Sequence, residues 1–301
     1  MKRLVCLLLV ACLALGAVAC VNMQKEVAKL DQAAVREKTA TVRYIAHRGY
    51  CLVEENGQTV TVGENTEAAF RNAAKQDTFW GIETDVWETK DDVLVCMHDK
   101  NAVKGIADVH EADSTDVLSR PLRKAQDQRA PTFDAYLAAC KEGGKAAVVE
   151  IKDAAMSEAG MQKLLSAIER SGVRSTIVSF NLDKLEYVRT QNADIECMLI
   201  IADGWRKIYR RIYGQSIGED DLMDALIRAR IGITADHKYL YRQETKGKNR
   251  VKSFHDAGLA VGVWTVDDAY CAIYDATALD VDFITSNRNM ATLVADALQS
   301  S

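Results

Sequence analysis

The chain has 301 residues, of which 48% are hydrophobic and 27% charged, and its formal net charge is −5. This length allows one α/β domain of roughly 250 residues with a large core, preceded by a leader. No basic face for nucleic acid is evident, so we expect no nucleic-acid partner.

The N-terminal residues have the pattern of a bacterial export signal. Lys2 and Arg3 form a positive region, residues 4–18 are apolar, and small residues at 17–19 precede Cys20. We therefore expect a signal peptide over residues 1–19. The small residues before Cys20 resemble the lipobox of bacterial lipoproteins, which predicts a lipid on Cys20 and a periplasmic or outer-membrane-associated protein. Cleavage without lipidation is the alternative, and the apolar run is too short for a transmembrane anchor.

The rest of the chain divides into a short outer segment and one domain. Residues 20–41 are polar, alanine-rich and helix-prone, which predicts a lipidated tether or an outer amphipathic helix. Over residues 42–301, apolar strand-like runs alternate with helical patterns, as in a parallel sheet with crossover helices. Strands are predicted at 43–47, 81–87, 146–151, 176–179, 196–201, 231–235, 260–265 and 283–285, and helices at 65–75, 132–141, 158–170, 182–190, 219–228, 248–256, 268–277 and 291–298.

Eight such strands predict a closed (β/α)8 barrel, the TIM-barrel fold, with loop insertions at its C-terminal face. Residues 50–63 form an insertion with a strand-like stretch at 58–62. Residues 99–130 are too irregular and charged for a barrel element, which indicates an excursion over the mouth. Residues 201–217 are interpreted as a rim loop or helix.

Acidic residues at the strand ends predict a metal site. Glu83 and Asp85 lie two residues apart on one predicted strand, so their side chains share a face. Their mutual repulsion is relieved by a divalent cation. Glu150 ends the next predicted strand. Three oxygen ligands favour Mg²⁺ or Ca²⁺ over Zn²⁺, so we expect one such cation on these three residues.

Histidines and cations lie at the same end of the predicted barrel. His47 and His98 follow apolar strands, and an imidazole titrates near neutral pH, which suits a general acid and base. Arg48 and Lys152 add positive charge, as an anionic phosphoryl group requires in its transition state. Together these residue types favour metal-assisted cleavage of a phosphodiester.

The ordered motifs resemble those of the glycerophosphodiester phosphodiesterase family. They are His47-Arg48-Gly49, Glu64-Asn65-Thr66, Glu83-Thr84-Asp85 and His98-Asp99, followed by 149–152, 179–180, 263–266 and 282–287. The resemblance covers residues 42–298. It implies a phosphoric diester hydrolase that converts a small glycerophosphodiester into sn-glycerol 3-phosphate and an alcohol.

The resemblance also implies roles for single residues. Glu83, Asp85 and Glu150 would bind the cation, and the histidine pair would transfer protons. Arg48 and Lys152 would contact the phosphate, and Trp264 would lie against the glycerol. Glu64 and Asn65 match the family motif and are expected to orient neighbouring groups by hydrogen bonds.

Two alternatives remain open. A phospholipase-like enzyme acting on intact lipid head groups would expose apolar rim residues, and 205–213 carries candidates at helical spacing, although a buried helix face explains them too. A non-catalytic binding lipoprotein would lack at least one of the three acids or two histidines, and all five are present. The head-group alcohol, the choice between Mg²⁺ and Ca²⁺, the roles of the two histidines and the oligomeric state stay open.

Overall fold

The computed structural model describes residues 23–55 and 58–299. Its centre is a barrel in which eight parallel strands pair in the order β1-β4-β6-β7-β8-β9-β10-β11, with β11 closing on β1. The described strands are β1 (Arg43–Ala46), β2 (Leu52–Glu55), β3 (Gln58–Thr61), β4 (Gly81–Glu88), β5 (Leu94–Cys96), β6 (Ala146–Ile151), β7 (Ser175–Ser179), β8 (Glu196–Ile201), β9 (Gly232–Asp236), β10 (Val261–Trp264) and β11 (Phe283–Ser286).

Helices surround the barrel and connect its strands. Those described are α1 (Gln32–Thr41), α2 (Glu67–Ala74), α3 (Ser114–Ser119), α4 (Phe133–Glu142), α5 (Glu158–Ser171), α6 (Leu182–Gln191), α7 (Trp205–Tyr213), α8 (Glu219–Arg228), α9 (His237–Glu244), α10 (Arg250–Asp256), α11 (Ala269–Thr277) and α12 (Met290–Gln299). The predicted (β/α)8 barrel is confirmed, and each of its eight strands lies within two residues of the predicted bounds. No helix in the described ranges is long and apolar enough to cross a bilayer.

The buried apolar residues of the barrel form two core layers. One layer lies inside the barrel and includes Ile45, Val148, Met198 and Phe283. The larger layer lies between the strands and the helices, where residues of the opposite strand face pack against the apolar helix faces. Strands buried on both faces produce continuous apolar runs, which is why the sequence showed them clearly.

Helix ends follow the local sequence. The Thr132 hydroxyl accepts a hydrogen bond from the Ala135 amide (3.2 Å) and begins α4. Gly172 ends α5 with φ +67°, and Gly258 has φ +69° beyond α10, both in the left-handed region expected after a helix.

Several short elements were absent from the predicted set. β5 adds an antiparallel edge to β4. α3 lies within the 99–130 excursion, and α9 precedes the predicted helix at 248–256, which begins two residues later than expected as α10. The 50–63 insertion forms an antiparallel hairpin of β2 and β3.

The described segment before the barrel is helical at residues 23–27 and 32–41. α1 packs against α11 and buries Val35 completely, and Val27 ahead of it is buried too. This segment was interpreted as a tether or an outer helix, and residues 32–41 form such a helix. The predicted signal peptide and Cys20 lie outside the described residues.

Candidate active site

The C-terminal ends of the barrel strands surround a cavity of about 220 Å³. Val148, Val178, Ile200 and Phe180 form an apolar wall on one side. Seven of the residues singled out in the sequence line the same cavity: His47, Arg48, Glu83, His98, Glu150, Lys152 and Trp264. The barrel therefore brings together side chains that are more than 200 residues apart in sequence.

Three carboxylates meet at the floor of this cavity. Glu83 and Asp85 alternate along β4, and the register of β4 with β6 places Asp85 beside Glu150. One oxygen atom from each lies within 4.8 Å of the other two, and all three side chains are buried. Asp85 Oδ1 and Glu150 Oε1 form no hydrogen bond of good geometry with a described residue, although the Lys152 ammonium lies beside both. Buried carboxylate oxygens grouped in this way suit a hard divalent cation.

Two cations flank the carboxylates. The Lys152 ammonium lies 3.2 Å from both Asp85 Oδ1 and Glu150 Oε1. Arg48 pairs with Asp85 through Nε (3.4 Å) and with Glu64 through Nη1 (2.9 Å), while its backbone N–H donates to Glu83 (2.7 Å). The positive charge is thus fixed on the carboxylate cluster.

The carboxyl groups differ in the direction of their pKa shifts. Burial and the neighbouring charge of Asp85 raise the pKa of Glu150 to about 8, and burial also raises the pKa of Glu83 well above its usual value. The pKa of Asp85 is lowered despite its burial, because the charges of Lys152 and Arg48 stabilise its anion. Additional positive charge in the cluster would therefore favour ionisation of Glu83 and Glu150.

Asn65 supports the cluster from behind. Its side chain is buried, and Nδ2 donates to Asp85 Oδ2 (2.8 Å). Its Oδ1 accepts from the Thr84 hydroxyl (2.7 Å) and from the Asp85 amide (3.3 Å). Asn65 fixes one oxygen of Asp85, whereas Glu64 lies farther out, with Arg48 on one side and Lys124 (3.7 Å) on the other.

His47 is held by a chain of polar groups that the sequence did not predict. Its Nδ1 lies 2.8 Å from Asn287 Oδ1, and Asn287 donates through its amide nitrogen to Asp267 (2.8 Å). Because that nitrogen is used, the Asn287 oxygen is the acceptor and the proton sits on Nδ1 of His47. Nε2 is then the nitrogen available for proton transfer. Burial and the charge of Arg48 lower the pKa of His47.

His98 lines the same cavity, at its junction with two outer grooves. Its Nδ1 lies 2.9 Å from Asp99 Oδ1, which leaves its Nε2 for chemistry in the same way. Burial lowers the pKa of His98, and the charges of Lys152 and Arg48 act in the same direction. Two histidines thus line the cavity that the carboxylates border.

Trp264 provides an aromatic wall for the cavity. Its Nε1 donates to the backbone oxygen of Thr234 (3.1 Å), which fixes the ring between β9 and β10. A ring held this way offers apolar area with little loss of freedom on binding.

Comparison with known proteins finds a matching family and a relative of similar length. The Glycerophosphoryl diester phosphodiesterase family matches residues 47–290. A Mycobacterium tuberculosis protein named "Probable glycerophosphodiester phosphodiesterase 2" is 27% identical over 278 residues, which cover 86% of this chain and 94% of that protein.

Solved structures share the fold. A glycerophosphodiester phosphodiesterase from Parabacteroides distasonis superposes with a TM-score of 0.65 at 22% identity, covering 86% of this chain and 98% of its own. An Oleispira antarctica phosphodiesterase in complex with the product sn-glycerol-3-phosphate gives a TM-score of 0.66 at 17% identity, covering 87% and 98%. On the family match, which spans most of the barrel, the chain belongs to the glycerophosphoryl diester phosphodiesterase family.

Proposed function

We propose that the protein hydrolyses glycerophosphodiesters to sn-glycerol 3-phosphate and an alcohol. The observation that carries the proposal is the convergence of three carboxylates, two histidines and two cations on one cavity of a chain in this family. The Oleispira antarctica relative, of the same fold, binds sn-glycerol-3-phosphate as its product.

One divalent cation, Mg²⁺ or Ca²⁺, is part of the proposal. Glu83, Asp85 and Glu150 would hold it, since one oxygen of each converges within 4.8 Å of the others and all three side chains are buried. When bound, the cation supplies Lewis acidity and offsets negative charge at the phosphoryl group. Arg48 and Lys152 border the same space and would bind the remaining phosphate oxygens.

The two histidines would move the protons. One histidine takes the proton from the glycerol hydroxyl next to the phosphoester, and the oxygen of that hydroxyl attacks phosphorus. The other gives a proton to the oxygen of the departing alcohol, so a cyclic phosphate and the free alcohol result. Water then opens the ring with the roles reversed, yielding glycerol 3-phosphate. Asn287 and Asp99 keep His47 and His98 in the tautomer that this requires.

The site itself argues against a binding-only role. A non-catalytic protein has no need of an acid–base pair, yet both histidines and all three acids line or floor one cavity. The phospholipase-like alternative uses the same groups and differs in the size of the substrate, so it is tested by substrate choice.

The reaction is tested by measuring release of glycerol 3-phosphate from glycerophosphocholine with the purified protein. EDTA should abolish release, and either Mg²⁺ or Ca²⁺ should restore it. Unchanged rates in EDTA would remove the cation from the proposal. Release of head groups from intact phospholipid, with none from glycerophosphocholine, would replace the proposal by the lipid-cleaving alternative.

We also propose export and lipidation at Cys20, which places the protein in the periplasm or at the outer membrane. The support is the leader pattern of residues 1–20. Cys20→Ala should move the protein from the membrane fraction to the soluble fraction of the producing cell. Continued retention of that variant in the membrane fraction would contradict a lipid on this residue.

A further inference from the structure

α7 is a short helix at the mouth of the barrel with a strongly basic outer face. Four of its nine residues are cations, none is acidic, and all four are exposed: Arg206, Lys207, Arg210 and Arg211. Arg206 pairs with Glu219 (2.9 Å), whereas the other three form no ion pair with a described carboxylate. α7 therefore presents three uncompensated positive charges to solvent.

The opposite face of α7 is fixed to the protein. Trp205 is buried, and the Tyr213 hydroxyl accepts from the Leu182 amide (2.6 Å) and donates to Asn181 (3.1 Å). Asp203, two residues before the helix, pairs with Arg242 (2.8 Å) and not with a cation of α7. The cations are thus held outward by a helix that cannot readily turn.

α7 follows the carboxyl end of β8, on the side of the barrel where the active site opens. Ile208 and Ile212 line a groove of about 750 Å³, and His98 and Lys152 lie at its inner end. The basic surface therefore borders the path into the catalytic cavity. A partner bound to this surface lies next to the entrance.

The N-terminal segment leaves the barrel at the same end. Gln24 donates to the Tyr270 hydroxyl (3.1 Å) in the first turn of α11, which begins just after the carboxyl end of β10. Farther along, Lys38 pairs with Asp280 beyond the other end of α11. The segment therefore starts at the mouth and runs towards the base. Cys20 precedes Met23 by three residues, a span of at most roughly 11 Å.

We propose that the mouth of the barrel docks on an anionic lipid bilayer through the outer face of α7, so that the active site opens towards the membrane. Three unpaired cations on a helix of this kind are attracted to acidic phospholipids. The exit of the N-terminal segment at the same end agrees, because a lipid on Cys20 would hold that end at the surface. This second point rests on the lipidation proposed above, and the charge argument does not.

The test uses the mature chain from residue 20 with Cys20→Ala, which carries neither the apolar leader nor a lipid, so that vesicle binding reports the protein surface alone. Vesicles contain phosphatidylcholine, with or without an equal share of phosphatidylglycerol, and bound protein is measured by sedimentation. Each cation near an anionic surface contributes a factor of about five, so Lys207→Gln with Arg210→Gln should weaken binding roughly 25-fold. Binding should also fall at high salt.

A matched control removes two exposed cations at the base. Lys141 and Arg228 close α4 and α8 at the far end of the barrel, and neither forms an ion pair with a described residue. Replacing both by Gln should leave vesicle binding unchanged. The proposal would be overturned if the two double variants lost the same share of vesicle binding. It would also be overturned if the α7 double variant bound vesicles as tightly as its parent.

Enzyme activity separates this proposal from the proposed function. Lys207 and Arg210 do not line the catalytic cavity, so their replacement should leave hydrolysis of soluble glycerophosphocholine unchanged. A protein that hydrolyses this substrate but does not bind anionic vesicles refutes the docking surface. A protein that binds them through α7 without hydrolysing any phosphodiester refutes only the function.

Discussion

Substitution of Asn65 measures how much its hydrogen bonds stabilise the carboxylate cluster. It makes three buried hydrogen bonds, one of them to the Asp85 carboxylate, and its backbone has φ +53°. Asn65→Gly removes the bonds but keeps the left-handed conformation. A hydrogen bond to a charged group contributes about 1.5–3 kcal/mol and each neutral hydrogen bond about 1 kcal/mol. We therefore expect the free energy of unfolding to fall by about 4 kcal/mol.

Asn65→Ala adds backbone strain to the same loss. An alanine in the left-handed region costs about 1–2 kcal/mol, partly offset by the lower unfolded-state entropy of alanine relative to glycine. Asn65→Ala should therefore be about 1 kcal/mol less stable than Asn65→Gly. For a domain of this size, the midpoint of thermal unfolding should fall by about 10 °C for glycine and by a further 2–4 °C for alanine.

Asp92 is the matched control, since it has φ +60° but is exposed and outside the site. The free energy of unfolding of Asp92→Gly should stay near that of the parent protein. That of Asp92→Ala should be about 1 kcal/mol lower than that of Asp92→Gly. Thermal unfolding followed by circular dichroism measures all four variants. If Asn65→Gly unfolds within about 1 kcal/mol of the parent, the three bonds do not stabilise the cluster as argued.

Three further outcomes concern activity on glycerophosphocholine. His47→Ala and His98→Ala should each lower kcat by about 10²–10⁴-fold, and near-normal turnover would remove that residue from proton transfer. Glu83→Gln should raise the cation concentration needed to restore the EDTA-treated protein, as measured by titration with Mg²⁺ or Ca²⁺, and an unchanged requirement would contradict its role as a ligand. Asn287→Ala should lower kcat about 10–100-fold without altering that requirement, because it positions His47 and makes no described hydrogen bond to the three clustered carboxylates.

The barrel could be predicted because its strands are buried on both faces and alternate with amphipathic helices. β5 was not predicted, since three residues are too few for a clear periodicity. α9 was not predicted for another reason. Asp236 is both the last residue of β9 and the N-cap of α9, so no loop separates the two elements. Its polar sequence then merged with the turn before α10.

The parts of the site carried by strand ends could be predicted, whereas contacts between loops could not. Glu83 and Asp85 share a face because a strand has a period of two residues, a local rule. The contact of His47 with Asn287 joins residues 240 positions apart, and Asp267 reaches Asn287 from another loop. No local pattern encodes these pairings, so only the closed barrel shows them.

The carboxylate cluster depends on strand register more than on any single acid. Asp85 lies beside Glu150 because β4 and β6 pair from Gly81 and Ala146 onward. A slip of one residue would turn Glu150 away from the cavity and bring an apolar neighbour into its place. The buried Tyr136 hydroxyl lies 2.7 Å from the Ile82 oxygen on β4 and 3.3 Å from the Val148 oxygen on β6. A residue without any role in the chemistry thus bridges the two strands whose alignment assembles the site.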